Sequence, residues 1–110
     1  MDGRIEPLLP LLDDLPFDGI EAATPKPQGD VTVEELAEAM GDKVLLDGVP
    51  GISFLPNRPM GELKGITEKI LEEFSPRLIL GISDEPPPNS DFGRFKKVAK
   101  MANSRPLDVR

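Results

Sequence analysis

The segment LILGISDEPPPNSD, Leu78 to Asp91, decides the interpretation of the whole chain. Its first part, LILGI, is an unbroken apolar run of the kind found in parallel strands, which are covered on their faces. The run stops at Ser83-Asp84-Glu85, and three prolines follow directly. The segment therefore predicts a strand over Leu78 to Ile82 that ends in two carboxylates and a rigid loop.

Composition limits the class of protein. A chain of 110 residues with 38% hydrophobic and 30% charged residues is sufficient for one small globular domain. The net charge of −7 argues against nucleic acid and anionic membranes as partners, because both would be repelled. The chain has no Cys and no His, so its chemistry must come from carboxylates, amines, hydroxyls or the backbone. No apolar run is long enough to span a bilayer, and we expect a cytoplasmic location.

Upstream and downstream of this strand, the apolar spacing alternates between strand and helix. Helices are predicted where apolar residues recur every three or four positions, over Ile5 to Leu15, Thr32 to Gly41, Leu63 to Phe74 and Phe92 to Ala102. Further strands are predicted over Gly19 to Thr24 and Val44 to Leu46. This alternation predicts an α/β fold in which parallel strands are covered by helices.

Local signals fix several boundaries. Glu35 follows Thr32 at the spacing of a capping box, and Gly41 is a stop for the same helix. Ser90 or Asn89 is predicted to cap the last helix. The proline-rich stretch between the second strand and the third helix predicts a loop with one helical turn.

Polar residues close each predicted strand. Glu21 and Thr24 close the first strand, Asp47 closes the second, and Asp84 with Glu85 closes the third. In parallel α/β folds these carboxyl ends form the ligand-binding side. Acids and hydroxyls after strands also cap helices or form turns. That structural role is the one expected for Asp30, Asp42, Asn89 and Ser90, and it stays open for the other acids.

A combination of short motifs carries a family resemblance. These motifs are Asp18-Gly19-Ile20-Glu21-Ala22 with Thr24-Pro25 and Gly29-Asp30, Gly41-Asp42-Lys43-Val44, and Leu80-Gly81-Ile82 leading to Pro86-Pro87-Pro88. Together they resemble the C-terminal part of the uroporphyrinogen decarboxylase superfamily, which includes porphyrinogen decarboxylases and methyltransferases that use methylated corrinoid proteins. The resemblance implies a (β/α)8 barrel of about 250 residues. Residues 1–103 would be its last three βα units, and residues 104–110 a frayed tail.

The resemblance also implies a site. Met1-Asp2-Gly3-Arg4 is similar to the family's segment after the fifth strand, and Asp2 stands where the methyltransferases carry a zinc-binding Cys. Ser83-Asp84-Glu85 replaces the His or Cys that the family carries before its prolines. The implied catalytic residues are Asp2, Glu21, Asp47, Asp84 and Glu85, with Asp2 and Asp84 as metal ligands. Such oxygens would bind a hard divalent cation, or one acid would act as a base at elevated pKa.

Three functions stay open on these grounds. The first is a fragment of an enzyme in the methyl-transferring branch, whose corrinoid is carried by a partner protein. The second is a decarboxylase of porphyrin biosynthesis acting on a small-molecule substrate. The third is a non-catalytic partial barrel that self-associates or completes a partner, because three parallel strands leave two edges unpaired. The isolated chain is expected to be inactive.

Overall fold

The computed structural model of the chain describes residues 4–21, 23–82 and 87–104. Within them lies a parallel sheet of β1 (Gly19–Glu21), β2 (Val44–Val49) and β3 (Leu78–Ile82). The α-helices of this part are α1 (Leu9–Leu12), α2 (Val33–Met40), α3 (Met60–Phe74) and α4 (Phe92–Asn103). The predicted α/β class with parallel strands is confirmed. The frayed tail stays a prediction, because residues 105–110 lie outside the described ranges.

The strands lie side by side in chain order, β1-β2-β3. Because crossover connections between parallel strands are right-handed, this order places successive helices on the same side of the sheet. The contacts agree, since α1 packs on α2, α2 on α3 and α3 on α4, while α3 also packs on β2 and β3. The described residues thus form two layers, one of helices and one of strands.

The core fills the space between these layers. Ile20 and Leu45 are paired neighbours on the helix-facing side of the sheet, and both are buried. The helices contribute buried aliphatic and aromatic side chains, namely Leu36, Met40, Leu63, Ile70 and Phe74. The core is mainly aliphatic, as predicted from a composition with no Trp and no Tyr.

On the opposite side of the sheet, the described residues leave apolar surface exposed. Glu21, Leu46 and Ile79 are register partners across the three strands, so their side chains leave the sheet on the same side. Ile79 lies in the middle of β3 and is 61% exposed, whereas Leu45 on the other side is fully buried. We call this side, which carries Val44, Leu46 and Ile79, the open face. None of the described elements shields Ile79 from solvent.

Helix α2 begins and ends where the sequence predicts. The Thr32 hydroxyl accepts a hydrogen bond from the Glu35 backbone N–H at 3.0 Å, and the Glu35 carboxylate accepts one from the Thr32 N–H at 2.9 Å. This is the predicted capping box. Gly41 ends the helix with a φ of 60°, a value that glycine adopts without steric cost.

Some predicted boundaries are wrong. The first helix does not run to Leu15: it consists of a 3-10 turn, Glu6–Leu8, and of α1, which ends at Leu12. Pro7 and Pro10 each lack the N–H that a continuous helix needs. Strand β1 ends at Glu21 rather than Thr24. The predicted helical turn between β2 and α3 is confirmed as a 3-10 turn, Gly51–Phe54.

The cap of α4 is also different from the prediction. The Asp91 carboxylate, and not Ser90 or Asn89, accepts the hydrogen bond from the Gly93 N–H, at 2.9 Å. Ser90 instead donates its hydroxyl to the Pro87 carbonyl at 2.6 Å, which tightens the preceding loop. The prediction missed the cap by one residue because all three types are good caps.

Asp30 has a longer-range role than the local turn predicted for it. Its carboxylate accepts hydrogen bonds from the backbone N–H groups of Ile5 and Glu6, 25 and 24 residues away. Burial acts to raise the pKa of Asp30, but these hydrogen bonds outweigh it and hold the pKa below its ordinary value. Asp30 therefore fastens the N-terminal segment to the rest of the domain.

Across the described residues, no helix has the length and apolarity to cross a membrane.

Candidate functional site at the carboxyl ends of the strands

Two of the five predicted site residues lie in the described part of the chain. Glu21 is the last residue of β1. Asp47 does not follow the second strand as predicted: it lies within β2, which continues to Val49. Asp2, Asp84 and Glu85 lie outside the described residues. Their roles, including that of Asp2 and Asp84 as metal ligands, stay predictions.

The sheet brings Glu21 and Asp47 together. Glu21 is the register partner of Leu46, the residue directly before Asp47. The two acids are therefore diagonal neighbours across adjacent strands. Burial raises the pKa of the Asp47 carboxyl, and the negative charge of Glu21 raises it further. The two carboxylates thus interact electrostatically.

The backbone of β2 changes direction at Asp47. Asp47 has a φ of 78° and Gly48 a φ of 99°, values that few residues other than Gly, Asn and Asp adopt readily. Regular alternation would point Asp47 to the same side as the buried Leu45, into the helix-covered core. The left-handed conformation removes Asp47 from that alternation.

Gly81 shows on which side the Asp47 carboxylate lies. A Cβ atom added at Gly81 would be 2.8 Å from Asp47 Oδ1. By alternation along β3, that Cβ would leave the sheet on the side of Ile79, which is the open face. The Asp47 carboxylate therefore lies on the open face, against Gly81, on the same side as Glu21. Sequence reasoning did not find this role of Gly81, although a glycine inside an apolar strand is a signal of close approach.

This pair of acids has a limited chemical range. A carboxyl group with a raised pKa beside a second carboxylate is suited to hold, accept or donate a proton. Two carboxylates hold a divalent cation only when water or substrate oxygens complete its coordination. The described residues contain no group of three or more Asp, Glu, His or Cys side chains placed to hold a metal ion.

Arg94 fixes the loops beside this edge, a role that sequence reasoning missed. It is 5% exposed, and its guanidinium donates to the backbone carbonyls of Ser53 at 2.9 Å and Arg58 at 2.6 Å. The Asp91 N–H also donates to the Phe54 carbonyl at 2.8 Å. The loop after β2 is thereby joined to the start of α4. One sequence signal pointed to the burial of Arg94: it lies one helical turn before the apolar Val98, and therefore on the same face of α4.

Comparison with known proteins adds no relative. No family model, no curated protein and no solved structure matches this chain.

Replacing Asp47 by Asn is expected to stabilise the protein at neutral pH. A carboxyl whose pKa is raised by folding favours its protonated form in the folded state, so its ionisation costs stability once the pH rises above the ordinary Asp value of 3.8. Asn carries no charge and tolerates positive φ. Because solvent screens this part-exposed group, we expect Asp47→Asn to gain less than about 1 kcal/mol at pH 7.

Urea unfolding at pH 7 and pH 3 measures this effect. The gain should shrink at pH 3, where the Asp47 carboxyl of the parent is protonated and therefore neutral, as the amide of the variant is. The gain that remains at pH 3 reports the backbone preference alone. Asp14→Asn, at an exposed acid, is the control and should leave the free energy of unfolding unchanged. A variant that is less stable than the parent at pH 7 would contradict the expected cost of the charged Asp47.

Replacing Gly81 by Ala is expected to displace the Asp47 carboxylate, because the new methyl group would be 2.8 Å from Oδ1. The carboxylate is the movable end of a side chain, so the stability cost should be about 1 kcal/mol or less. Carbon-detected NMR titration should show a changed midpoint for Asp47. Gly65→Ala on α3 is the matched control, because its Cβ meets no atom within 4 Å. An Asp47 midpoint that is the same in Gly81→Ala as in the parent would rule out this contact.

Proposed function

We propose that this chain forms three consecutive βα units of a (β/α)8 barrel similar to the uroporphyrinogen decarboxylase superfamily, with its open face toward the barrel interior. The observation that carries the proposal is the placement of Glu21 and Asp47. Both acids lie on the open face near the carboxyl ends of their strands. In barrels of this class, active sites are built at that end, from residues of several strands.

The layering supports the proposal. Three parallel strands in chain order, with the helices on one side, correspond to a segment of a barrel wall. In a doubly wound sheet the strand order reverses, and helices cover both faces. The apolar side chains of Val44, Leu46 and Ile79 would then meet those of the remaining strands, as side chains do in layers inside such barrels.

The activity that we propose is methyl transfer, as in the corrinoid-linked branch of that superfamily. A partner protein's corrinoid would supply the methyl group. Asp47 would accept the proton that the methyl acceptor loses, since its raised pKa improves it as a base. Burial, and in addition the charge of Glu21, would keep that pKa elevated.

Spectroscopy on the protein purified in its native assembly tests this function. Methyl transfer from methylcobalamin to an added acceptor is followed by the change in corrinoid absorbance. Asp47→Asn should lower the rate about 100-fold or more, the usual contribution of a general base, while Asp14→Asn should leave it unchanged. An unchanged rate in Asp47→Asn would exclude Asp47 as the base. Release of carbon dioxide from a porphyrinogen, with no methyl transfer, would favour the decarboxylase alternative, in which protonated Asp47 donates a proton.

The third alternative, a non-catalytic partial barrel that assembles with further copies or partners, is favoured by the exposure of Ile79. Its side chain is 61% exposed in the middle of β3, and exposed apolar surface of this kind is typical of association sites. β1 and β3 are both edge strands within the described sheet, so main-chain groups are also available for pairing.

Light scattering over a concentration series tests association through the open face. We expect the average mass to rise with concentration in the parent chain, and Ile79→Lys to shift the midpoint at least about tenfold toward higher concentration. Leu11→Lys is the matched control, because Leu11 is 57% exposed and lies on α1, which packs on α2 in the helix layer. A parent chain that stays monomeric at every concentration would exclude self-association.

A further inference from the structure

Three phenylalanine rings in successive contact extend from the core to the surface at the start of α4. Phe54 is buried, and its ring stacks on Phe95 with a centroid distance of 4.3 Å. Phe95 in turn contacts Phe92 at 5.9 Å, and Phe92 is 81% exposed. These are three of the five phenylalanines of the chain, and it has no other aromatic residue. The outermost ring therefore rests on a rigid aromatic support while its own surface faces solvent.

Beside Phe92 lies a groove of about 380 Å³, lined by Pro87, Asn89, Ser90, Phe92 and Phe95. This size is at the lower end of the range for ligand pockets, roughly 300–1,000 Å³. Its wall is held by the hydrogen bond from the Ser90 hydroxyl to the Pro87 carbonyl. The bond from the Asp91 N–H to the Phe54 carbonyl holds the same wall to the core. The groove is thus formed in advance and has room for one large apolar side chain.

A row of lysines continues from the groove along α4. Lys96 and Lys100 lie one and two turns after Phe92, and all three are exposed. Helix α4 contains no acidic residue, and Lys96, Lys97 and Lys100 form no ion pair with any residue that the structure describes. By contrast, Arg58 pairs with Glu62 and Lys69 with Glu34. A chain of net charge −7 thus concentrates unpaired positive charge on one helix.

We propose that the groove and the lysine row together form a docking surface for an acidic peptide segment of another protein. One aromatic or large aliphatic side chain of that segment fills the groove against Phe92. Its carboxylates lie over Lys96 and Lys100. The argument rests on charge complementarity next to a preformed apolar anchor site, an arrangement typical of interaction hot spots. It is independent of the activity proposed for Glu21 and Asp47, which lie on the sheet.

Single-stranded nucleic acid would also combine stacking on Phe92 with charge on the lysines. It is the less favoured occupant, because a long polyanion would meet the net negative charge of the remaining surface. A short acidic segment contacts the basic helix alone. The groove also has the volume to hold a side chain, which base stacking on one exposed ring does not require.

NMR titration of the labelled chain with a short synthetic peptide, a central phenylalanine flanked by glutamates, tests the proposal. Saturable shifts should appear at the groove and along Lys96 to Lys100, and should weaken with added salt. Phe92→Ala should lower the affinity about tenfold. The double variant Lys96→Glu and Lys100→Glu should lower it at least about tenfold. These residues are exposed, so the variants are expected to fold.

Matched controls make the result specific. Phe17→Ala removes another ring, 61% exposed, and Lys64→Glu reverses an exposed charge on α3; neither should change the affinity. A peptide with glutamine in place of glutamate should bind more weakly. The proposal is overturned if no saturable shift occurs, if Phe92→Ala binds as the parent does, or if a short oligothymidylate binds the same surface more tightly than the acidic peptide.

Discussion

The right-handed crossover between parallel strands is the constraint on which the described architecture depends. With strands in the order β1-β2-β3, each crossover returns on the same side, and the helices are collected into one layer. The apolar residues of β2 and β3 then lie in two different environments. Leu45 is buried under α3, whereas Ile79 is exposed on the opposite side. The same handedness that builds the core therefore also produces the open face.

The backbone at Asp47 turns this face into a candidate site. A carboxylate on the helix-covered side would be buried in the apolar core, which is a costly arrangement. The positive φ at Asp47 and Gly48 moves the carboxylate to the side of Glu21. There, partial burial and the nearby charge of Glu21 raise the pKa of the Asp47 carboxyl. Two like charges held near the carboxyl ends of two strands do not stabilise a fold, and such unfavourable pairs are commonly found where function requires them.

Much of the fold follows from the sequence, because its signals are local. The spacing of Leu63, Ile70 and Phe74 and the Thr32–Glu35 pair are decided by helix periodicity and capping within one or two turns, and both predictions are confirmed. Clustering of strand-end acids at one edge was predictable from the parallel pattern, and Glu21 with Asp47 fits it. The role of Asp30 was not predictable, because its partners are 24 and 25 residues away in the chain. Arg94 was missed for the same reason, since its carbonyl partners come from a loop more than 30 residues earlier.

The two faces of the sheet also carry different types of residue. On the helix side, the strand residues in the core or packed against it are all apolar: Ile20, Leu45, Val49, Leu78, Leu80 and Ile82. On the open face, the side chains change along the strands from apolar, at Val44 and Ile79, to acidic, near the carboxyl ends. An apolar surface gains free energy when another surface covers it, whereas a carboxylate with a raised pKa is useful only where a proton or ligand reaches it. A partner that covers Val44, Leu46 and Ile79 and leaves the carboxyl ends accessible would satisfy both requirements. The closed wall of a barrel, with its mouth above the strand ends, has this geometry.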